Sequence, residues 1–409
     1  MTQPHCSAKA RTGSSFVQPV TAGVLAAIVG FASAFAIVLQ GLTKAGATPA
    51  QASSGLMALC VGQGLLAIFL SIRHRQPISI AWSTPGAALL MTASTPHGGF
   101  GVAVTAFLIS GGLVIISGLW RPLGRAVASI PLSLASAMLA GILMELCLAP
   151  AHAMARLPGL ALPIIAAWLL GWVLARRYAV LIAVLATALV VGLSTTIPPD
   201  ASSLLLPKLS FVRPIFDLAP ALGIAIPLFI VTMASQNIPG IAVLKTNGYE
   251  PPVREAFITT GAGSLITAFF GGHGINLAAI TAALCAGPEA GPDKEQRYLA
   301  SVIAGITYLL LGLLAGFTTV FIAASPPLLV QTLAGLALLP SLISSLTVTL
   351  EKEPHRLAAI LTFITAASGI SILGIGAAFW GLLVGAAPLL LEHFSRYMRE
   401  KSSKYSNPL

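Results

Sequence analysis

Charged residues are scarce in this chain of 409 residues: Asp, Glu, Lys and Arg together make up 8% of it, and only 12 residues are acidic. A water-soluble body of this size needs far more polar surface to cover its core. Apolar residues instead make up 56%, and the mean hydropathy is +0.91. The composition therefore excludes an ordinary soluble protein and predicts one that is solvated by a lipid bilayer.

Chemically reactive groupings are also missing. The four cysteines show no C-x-x-C spacing, which is atypical of a thiol metal site. The chain has no G-x-x-x-x-G-K-[ST] sequence for ATP-driven pumping. No acidic pair, metal-ligand cluster or nucleophile–base pair falls inside an apolar segment. We therefore expect no enzyme activity, no metal and no cofactor.

Long apolar runs dominate the chain. A spanning helix needs roughly 20 apolar residues, and about fourteen segments qualify when two interrupted ones are counted. The fold class predicted is an all-α polytopic membrane protein. The segments lie near 18–40, 51–72, 78–94, 100–120, 126–149, 159–176, 178–197, 216–243, 254–270, 273–287, 298–320, 322–348, 357–373 and 374–394.

The basic residues predict the orientation, because Lys and Arg collect in short cytoplasmic loops. With the N-terminus inside, eighteen of the 22 basic residues lie on the cytoplasmic side. Only Lys44, Arg156, Lys208 and Arg213 fall outside. The net charge of +10 is thereby explained by topology and anionic lipid, without a nucleic-acid partner. A multi-pass inner-membrane protein with both termini in the cytoplasm is expected.

Two halves of the chain show a faint repeat. Gln18-Pro19 opens the first span and Ala219-Pro220 opens the eighth, an offset of about 200 residues. Because each half has about seven spans, an odd number, the second half must be inverted in the membrane. The predicted organisation is a cytoplasmic tail 1–15, a first repeat 16–197, a periplasmic linker 198–215, a second repeat 216–395 and a cytoplasmic tail 396–409.

Each half contains one interrupted segment, Ser83-Thr84-Pro85-Gly86 in the first and Gly271-Gly272-His273-Gly274-Ile275-Asn276 in the second. Paired breaks of this kind point to a transporter's substrate site, because unpaired backbone must lie within the protein. The patterns predict a short strand over 79–83 with a half-helix from Pro85, and a strand over 270–275 with a half-helix from Asn276 through Leu284. Both half-helix starts are expected near the bilayer centre, where their N–H groups would favour a carboxylate.

Few polar residues lie at membrane depth, and such residues are functional candidates. Gln236 and Asn237 could bind a carboxylate or brace unwound backbone, although a helix-packing amide pair is the alternative. His273 is a candidate proton carrier, the alternative being a neutral histidine that satisfies broken backbone. Asn276 and Thr84 could cap the half-helices or touch the ligand. Glu145 falls near the outer end of its predicted span, so a solvated residue at the membrane–water interface is the favoured interpretation.

Aromatic residues flank the breaks and could form a ligand pocket, although each alone is more often core packing. They are Phe35, Trp82, Phe269 and Phe270. The predicted substrate-binding set is Ser83, Thr84, Pro85, Gly86, Gln236, Asn237, His273, Gly274, Ile275, Asn276, Phe35 and Phe270.

The stretches 80–87, 236–244, 271–281 and 287–290 resemble the hallmark motifs of the bacterial benzoate/proton symporter family. The likeness extends over residues 16 to 395. It implies uptake of benzoate, a small aromatic carboxylate, together with a proton. That family is similar in fold to nucleobase–cation symporters and sulfate-type anion carriers. The resemblance thus implies a core domain of spans 1–4 and 8–11, a gate domain of spans 5–7 and 12–14, and a homodimer as one option.

One departure affects proton coupling. Nucleobase carriers of this fold place an acidic residue on the eighth span, where this chain has Gln236 and Asn237. A neutral pair suits an anionic ligand, since a carboxylate would repel it. Binding of the anion would favour a protonated His273, so that proton and substrate assist each other. Glu145, or the substrate itself, is the alternative proton carrier.

Three other functions remain open from the sequence. A carrier of a different small anion or of a nucleobase would share the architecture. A passive anion channel would conduct downhill without accumulation. A membrane enzyme is disfavoured by the missing catalytic groupings.

Overall fold

The computed structural model describes residues 16–92, 95–96, 98–120, 122, 131–194, 207–351, 353–372 and 375–405. The predicted tail 1–15, the end of the predicted tail 396–409 and the first half of the predicted linker lie outside these ranges. In the first half the elements are α1 (Val17–Lys44), α2 (Pro49–His74), β1 (Ile80–Trp82), α3 (Thr84–Thr92), α4 (Phe100–Leu119), α5 (Leu132–Arg156), α6 (Pro158–Leu174) and α7 (Ala179–Ser194).

The second half follows the same alternation. Its elements are α8 (Leu218–Thr232), α9 (Ile238–Thr246), α10 (Val253–Ala268), β2 (Ile275–Leu277), α11 (Ile280–Ala286), α12 (Tyr298–Gly312), α13 (Ala315–Ala324), α14 (Pro327–Glu351), α15 (Arg356–Ala367), β3 (Ser371–Ile372), β4 (Ile375–Gly376) and α16 (Ala377–Tyr405).

Six of the described helices are long and apolar enough to cross a membrane, and the bent pair Lys294–Gly312 and Ala315–Ile322 makes a seventh candidate. Apolar residues of the shorter helices also cover the outside of the molecule: Leu193 of α7 is 81% exposed and Val173 of α6 is 78% exposed. Exposed aliphatic surface on this scale is stable only against lipid. The prediction of a mostly helical membrane protein is confirmed, while fourteen spans in two inverted repeats remain a prediction.

Local sequence fixes several helix starts. Thr48 caps α2: its side chain accepts a hydrogen bond from the Gln51 N–H at 3.3 Å, and the Gln51 side chain accepts one from the Thr48 N–H at 2.9 Å. Pro49 follows at the first helical position, where a missing N–H costs nothing. This reciprocal cap explains why α2 begins directly after the tight turn at the end of α1.

The two predicted breaks are present and pair with each other. Strand β1 and strand β2 form a two-stranded antiparallel ribbon, with Ala81 opposite Asn276 and Trp82 opposite Ile275. The ribbon satisfies backbone groups that neither segment could satisfy alone, as an interrupted span within a bilayer requires. The predicted start of the second half-helix at Asn276 is wrong, because Asn276 lies in the middle of β2 and helix α11 begins at Ile280.

Three further interruptions were not predicted. Helix α8 ends in a π-helical turn, Met233–Asn237, before α9 begins. The segment predicted as one span over 298–320 is bent by 57° between Gly312 and Ala315. Strands β3 and β4 pair with each other between α15 and α16, so the predicted spans 357–373 and 374–394 are separated by a short ribbon.

The buried side chains form one large cluster and two smaller ones. The large cluster surrounds the β1–β2 ribbon and draws on α1 to α4 and α8 to α12, and it continues into α5 and α14. A separate cluster contains Trp168 of α6, Ala183 of α7 and Leu333 of α14. Helix α14 contributes to both clusters, and the predicted division into a core and a gate stays a prediction.

Candidate functional site

The start of helix α3 is capped from inside the protein. The Ser83 hydroxyl oxygen accepts a hydrogen bond from the Gly86 N–H at 3.1 Å and lies 2.7 Å from the Thr232 hydroxyl of α8. The Ser83 carbonyl accepts the Ala87 N–H at 2.8 Å. Two of the N–H groups at this helix start are therefore used by Ser83. The Thr84 hydroxyl, which is only half-buried, makes no hydrogen bond among the described residues.

His273 connects the two broken segments. Its Nε2 lies 2.8 Å from the Ser83 carbonyl oxygen, and its ring stands edge-on to Phe107 of α4 at a centroid distance of 6.4 Å. It is 1% exposed, and its Nδ1 has no partner among the described residues. Because a carbonyl only accepts hydrogen bonds, Nε2 must carry a proton. His273 is thus connected to the site by its hydrogen bond to Ser83, the residue before Thr84.

Gln236 and Asn237, in the π-helical turn, hold strand β2. The Asn237 side-chain oxygen accepts the Leu277 N–H at 2.9 Å, and the Gln236 side-chain oxygen accepts the Ala279 N–H at 3.4 Å. A π-helical turn carries one extra residue and is frequent at functional sites. Here it turns both amides towards the ribbon. Asn237 is fully buried, whereas Gln236 is 8% exposed and its Nε2 has no partner among the described residues.

Close backbone approach completes this junction. A Cβ atom added to Gly240 of α9 would lie 2.7 Å from the Ala278 carbonyl oxygen at the end of β2. Only glycine allows α9 to pass this near to the ribbon. Gly240 therefore provides the surface on which α9 contacts the end of β2.

A cavity of about 310 Å³ lies beside the ribbon. Its volume falls at the lower end of the range for small-molecule sites, about 300–1,000 Å³. Its polar lining residues are Ser33, Thr84, Gln236, Ser341 and Arg176, and the others are apolar, among them Leu143 of α5 and Leu338 of α14. A smaller lobe of about 50 Å³ continues from Thr84 and Gln236 to Trp82 and Tyr308. The arrangement suits a ligand with one polar end and an apolar body.

The two half-helices flank this cavity from opposite ends of the ribbon. Thr84 and Pro85 belong to the start of α3, and Ala279 and Thr281 belong to the start of α11. Because the strands are antiparallel and three residues long, the starts are separated by roughly 10 Å of ribbon, at about 3.4 Å per residue. The expected juxtaposition of two helix starts is thus present, although they do not meet directly.

The predicted site residues differ in their position relative to the cavity. Thr84, Pro85 and Gln236 line the cavity. A second group supports those residues from behind and is buried: Ser83, Gly86, Asn237, His273, Ile275 and Asn276. Gly274, half-buried, accepts the Ser83 N–H through its carbonyl at 3.2 Å.

The predicted aromatic pocket is only partly present. Phe270 packs edge-on to Phe211 at 6.4 Å and therefore lies against the linker, not in the cavity. Phe35 is buried behind the site, stacked on Phe31 at 5.4 Å. Trp82 lines the smaller lobe. Glu145 is exposed on α5, and no ion pair joins it to any described residue.

Several residues of the site were not predicted. Ser33, Thr281 and Tyr308 line the cavity or its smaller lobe. Ser264 of α10 accepts the Ile275 N–H at 2.8 Å and so supports strand β2. Thr281 lies shortly after the break at 271–276, and that proximity is the one signal the sequence offered.

These features define a membrane transporter with a central site between two broken segments. Residues 14–391 match the protein family described as benzoate membrane transport protein (BenE). The chain is 42% identical to inner membrane protein YdcO of Escherichia coli, over 89% of this chain and 93% of that protein. It is 32% identical to the benzoate membrane transport protein of Acinetobacter baylyi, over 89% and 92% of the two chains. The chain belongs to the benzoate membrane transport protein family, a family of transporters and not of enzymes.

Solved structures agree on the fold. The transmembrane domain of the cyanobacterial bicarbonate transporter BicA superposes with a TM-score of 0.59 at 17% identity, covering 91% of this chain and 99% of that one. The murine anion transporter Slc26a9 in its inward-facing state gives a TM-score of 0.56 at 14% identity, covering 92% and 68%. At these identities the likeness shows the fold of anion transporters, and nothing about substrate.

Proposed function

We propose that this protein imports benzoate or a similar aromatic carboxylate across the bacterial inner membrane by proton symport. The observation that carries the proposal is the polarity of the cavity. The Thr84 hydroxyl and the Gln236 Nε2 group line both the cavity and its smaller lobe without a partner among the described residues, and most of the other residues that line the cavity are apolar. A carboxylate placed against Thr84 and Gln236 would receive hydrogen bonds and the positive end of the α3 dipole.

The apolar side of the cavity fits the aromatic ring. Leu143 and Leu338 provide aliphatic contact, and Trp82 and Tyr308 close the smaller lobe. Burying a planar ring there is favoured by the hydrophobic effect, at about 25 cal/mol per Å² of apolar surface. Membership of a family whose relative in Acinetobacter baylyi is described as a benzoate membrane transport protein supports the same substrate class.

Proton coupling is assigned to His273, with Glu145 or the substrate's own carboxyl group as alternatives. A proton on His273 would affect ligand binding through Ser83. The Ser83 carbonyl accepts a hydrogen bond from Nε2 of His273, and the next residue, Thr84, lines the cavity. Substrate and proton would then stabilise each other's binding, which is the coupling a symporter requires. Transport itself is proposed to move the core domain against the gate domain.

Uptake into proteoliposomes tests the proposal. Purified protein is reconstituted, an acidic outside is imposed, and labelled benzoate is followed with and without a protonophore. Benzoic acid crosses lipid in its neutral form, so protein-free vesicles under the same gradient are the essential control. Accumulation above that control, lost with the protonophore, is expected. Downhill flux alone would indicate a channel and contradict symport.

Binding separates the substrate classes. Benzoate, salicylate, bicarbonate and uracil are compared by calorimetry with the same purified protein. The proposal requires the two aromatic acids to bind most tightly. Stronger binding of uracil or bicarbonate would overturn the aromatic-acid assignment and leave the fold untouched.

The finer topology is proposed with the function: about fourteen spans in two inverted repeats, with both termini cytoplasmic and two copies forming a homodimer. The bias of Lys and Arg supports the orientation. Reporter fusions at residues 1 and 409 that are active only in the cytoplasm are the expected result. A periplasmic signal from either end would contradict the proposed orientation.

A further inference from the structure

One cation, Arg176, lies at the cavity although it stands at the very end of the predicted segment 159–176. Arg176 belongs to a short 3₁₀ turn, Arg176–Tyr178, between α6 and α7. It lines the same cavity as Thr84 and Gln236 and is itself exposed. The cavity therefore extends from the broken segments to this turn, which the charge bias assigns to the cytoplasmic side. We call this end of the cavity, where Arg176 lies, its mouth.

The guanidinium group of Arg176 is held in place by an aromatic ring. Its Cζ atom lies 4.1 Å from the centroid of the Trp172 ring, and Trp172 stacks on Trp168 at 5.1 Å. Arginine on an indole face makes a cation–π contact, which orients the group without neutralising it. The side chain is thus positioned at the mouth before any ligand arrives.

No acidic side chain among the described residues forms a salt bridge with Arg176. The charge remains available to an anion, whereas Arg73 at the end of α2 is already paired with Glu255 at 2.6 Å. Inside the cavity the polar lining groups are neutral, namely Ser33, Thr84, Gln236 and Ser341. Arg176 is therefore the one cationic side chain lining the described cavity.

We propose that Arg176, stacked on Trp172, forms a transit site for the carboxylate at the cytoplasmic mouth of the cavity. The inference deepens the proposed function and rests on it. An anion leaving Thr84 and Gln236 would be drawn to the guanidinium group before it reaches solvent, and the same charge would attract anions back from the cytoplasm. Charged residues at the entrance of a cleft raise the association rate and the local concentration of a ligand of opposite charge, and added salt weakens both effects.

Equilibrium binding of benzoate to purified protein tests the inference. Arg176→Gln should weaken binding about two- to fivefold at low salt, the range expected of one solvent-exposed charge pair. The difference should shrink at 1 M salt, where the screening length is about 3 Å. Arg176→Lys should keep most of the affinity, since it keeps the charge. Arg254→Gln is the matched control, because Arg254 is exposed on the same predicted side and lies outside this cavity.

Each outcome decides a separate point. Wild-type affinity in Arg176→Gln, with wild-type protein binding benzoate normally, would overturn the transit site and leave the proposed function standing. A wild-type protein that does not bind benzoate would overturn both. Equal losses in Arg176→Gln and Arg254→Gln would show a general surface-charge effect and contradict the assignment. The thermal unfolding temperature of each variant, measured without ligand, shows that a loss of binding is not a loss of folding.

A second measurement locates the site. In a variant with Val180→Cys, which keeps Arg176, and with the four native cysteines replaced by alanine, a membrane-impermeant thiol reagent should react from the cytoplasmic face only, and benzoate should slow the reaction, because Val180 lines the same cavity as Arg176. Reaction from the periplasmic face, or no protection by benzoate, would contradict a transit site at the cytoplasmic mouth.

Discussion

Replacing Gln236 by leucine should weaken benzoate binding by about 10- to 150-fold without unfolding the protein. The Gln236 Nε2 group is the neutral donor that the cavity offers to a carboxylate from the π-helical turn after α8, and it has no partner among the described residues. A hydrogen bond to a charged group contributes about 1.5–3 kcal/mol. Since about 1.4 kcal/mol corresponds to a tenfold change in affinity, the loss spans that range.

The cost to folding should be small for the same substitution. The leucine side chain would no longer accept the Ala279 N–H, but that hydrogen bond is long at 3.4 Å, and Ala279 is half-buried beside the cavity, where water can replace the lost acceptor. Leucine has nearly the same volume as glutamine and adds apolar contact. The thermal unfolding temperature of the ligand-free variant should therefore stay close to that of wild type.

Calorimetry with benzoate and thermal unfolding on the same preparation are the assays. Gln236→Glu is the sharper companion, since it keeps the shape and adds a negative charge facing the ligand. It should bind even less than Gln236→Leu at neutral pH and recover on acidification, when the new carboxyl group becomes protonated. Wild-type affinity in Gln236→Leu would refute the placement of the carboxylate at this residue.

Three further outcomes test the supporting groups. Ser83→Ala removes the cap from the Gly86 N–H and should lower the free energy of unfolding by about 1–2 kcal/mol, measured by denaturation in detergent; an unchanged value would contradict the capping role. His273→Gln should abolish proton-driven accumulation while benzoate exchange continues, measured in proteoliposomes, and wild-type accumulation would exclude His273 as the coupling group. Arg297→Met removes hydrogen bonds to the carbonyls of Ala286 at 2.8 Å and Gly291 at 2.7 Å; the expected loss of stability is about 2–4 kcal/mol, with partial rescue by lysine.

The two breaks were predictable because they depend on the backbone properties of local proline and glycine residues. Pro85 cannot donate an N–H within a helix, and Gly271 adopts φ +90, a conformation that other residues rarely take. Inside a bilayer such interruptions have few structural solutions, because their unpaired backbone groups must lie within the protein. The pairing of β1 with β2 is the outcome.

The boundary of the second half-helix was not predictable from its own residues. Asn276 is a good helix-capping residue in isolation, and the sequence around it is apolar. In the structure it pairs with Ala81, nearly 200 residues away in the chain. A three-residue strand that forms only by pairing with a distant segment shows no sequence periodicity that reveals where it ends. For that reason the start of the helix was predicted four residues too early.

The π-helical turn escaped prediction for a related reason. One additional residue in a turn after α8 changes the direction of Gln236 and Asn237 without changing the composition of the segment. Sequence identified both amides as site candidates but could not say that one reaches the cavity and the other braces β2. That division follows from burial, since Asn237 is wholly enclosed and Gln236 is not.

The distribution of hydrogen bonds around the site favours movement of the core as one body. Ser83 is tied to Thr232, His273 to Ser83 and Leu277 to Asn237, so that α3, α8 and the β1–β2 ribbon share one network of short contacts. The apolar side of the cavity presents Leu143 and Leu338, whose packing is non-directional and can be exchanged at little cost by sliding. A carboxylate bound to Thr84 and Gln236 would therefore travel with the network, while the ring slides past the apolar side. Under the proposed transport mechanism, binding and translocation would thus be separated onto two surfaces, as alternating access requires.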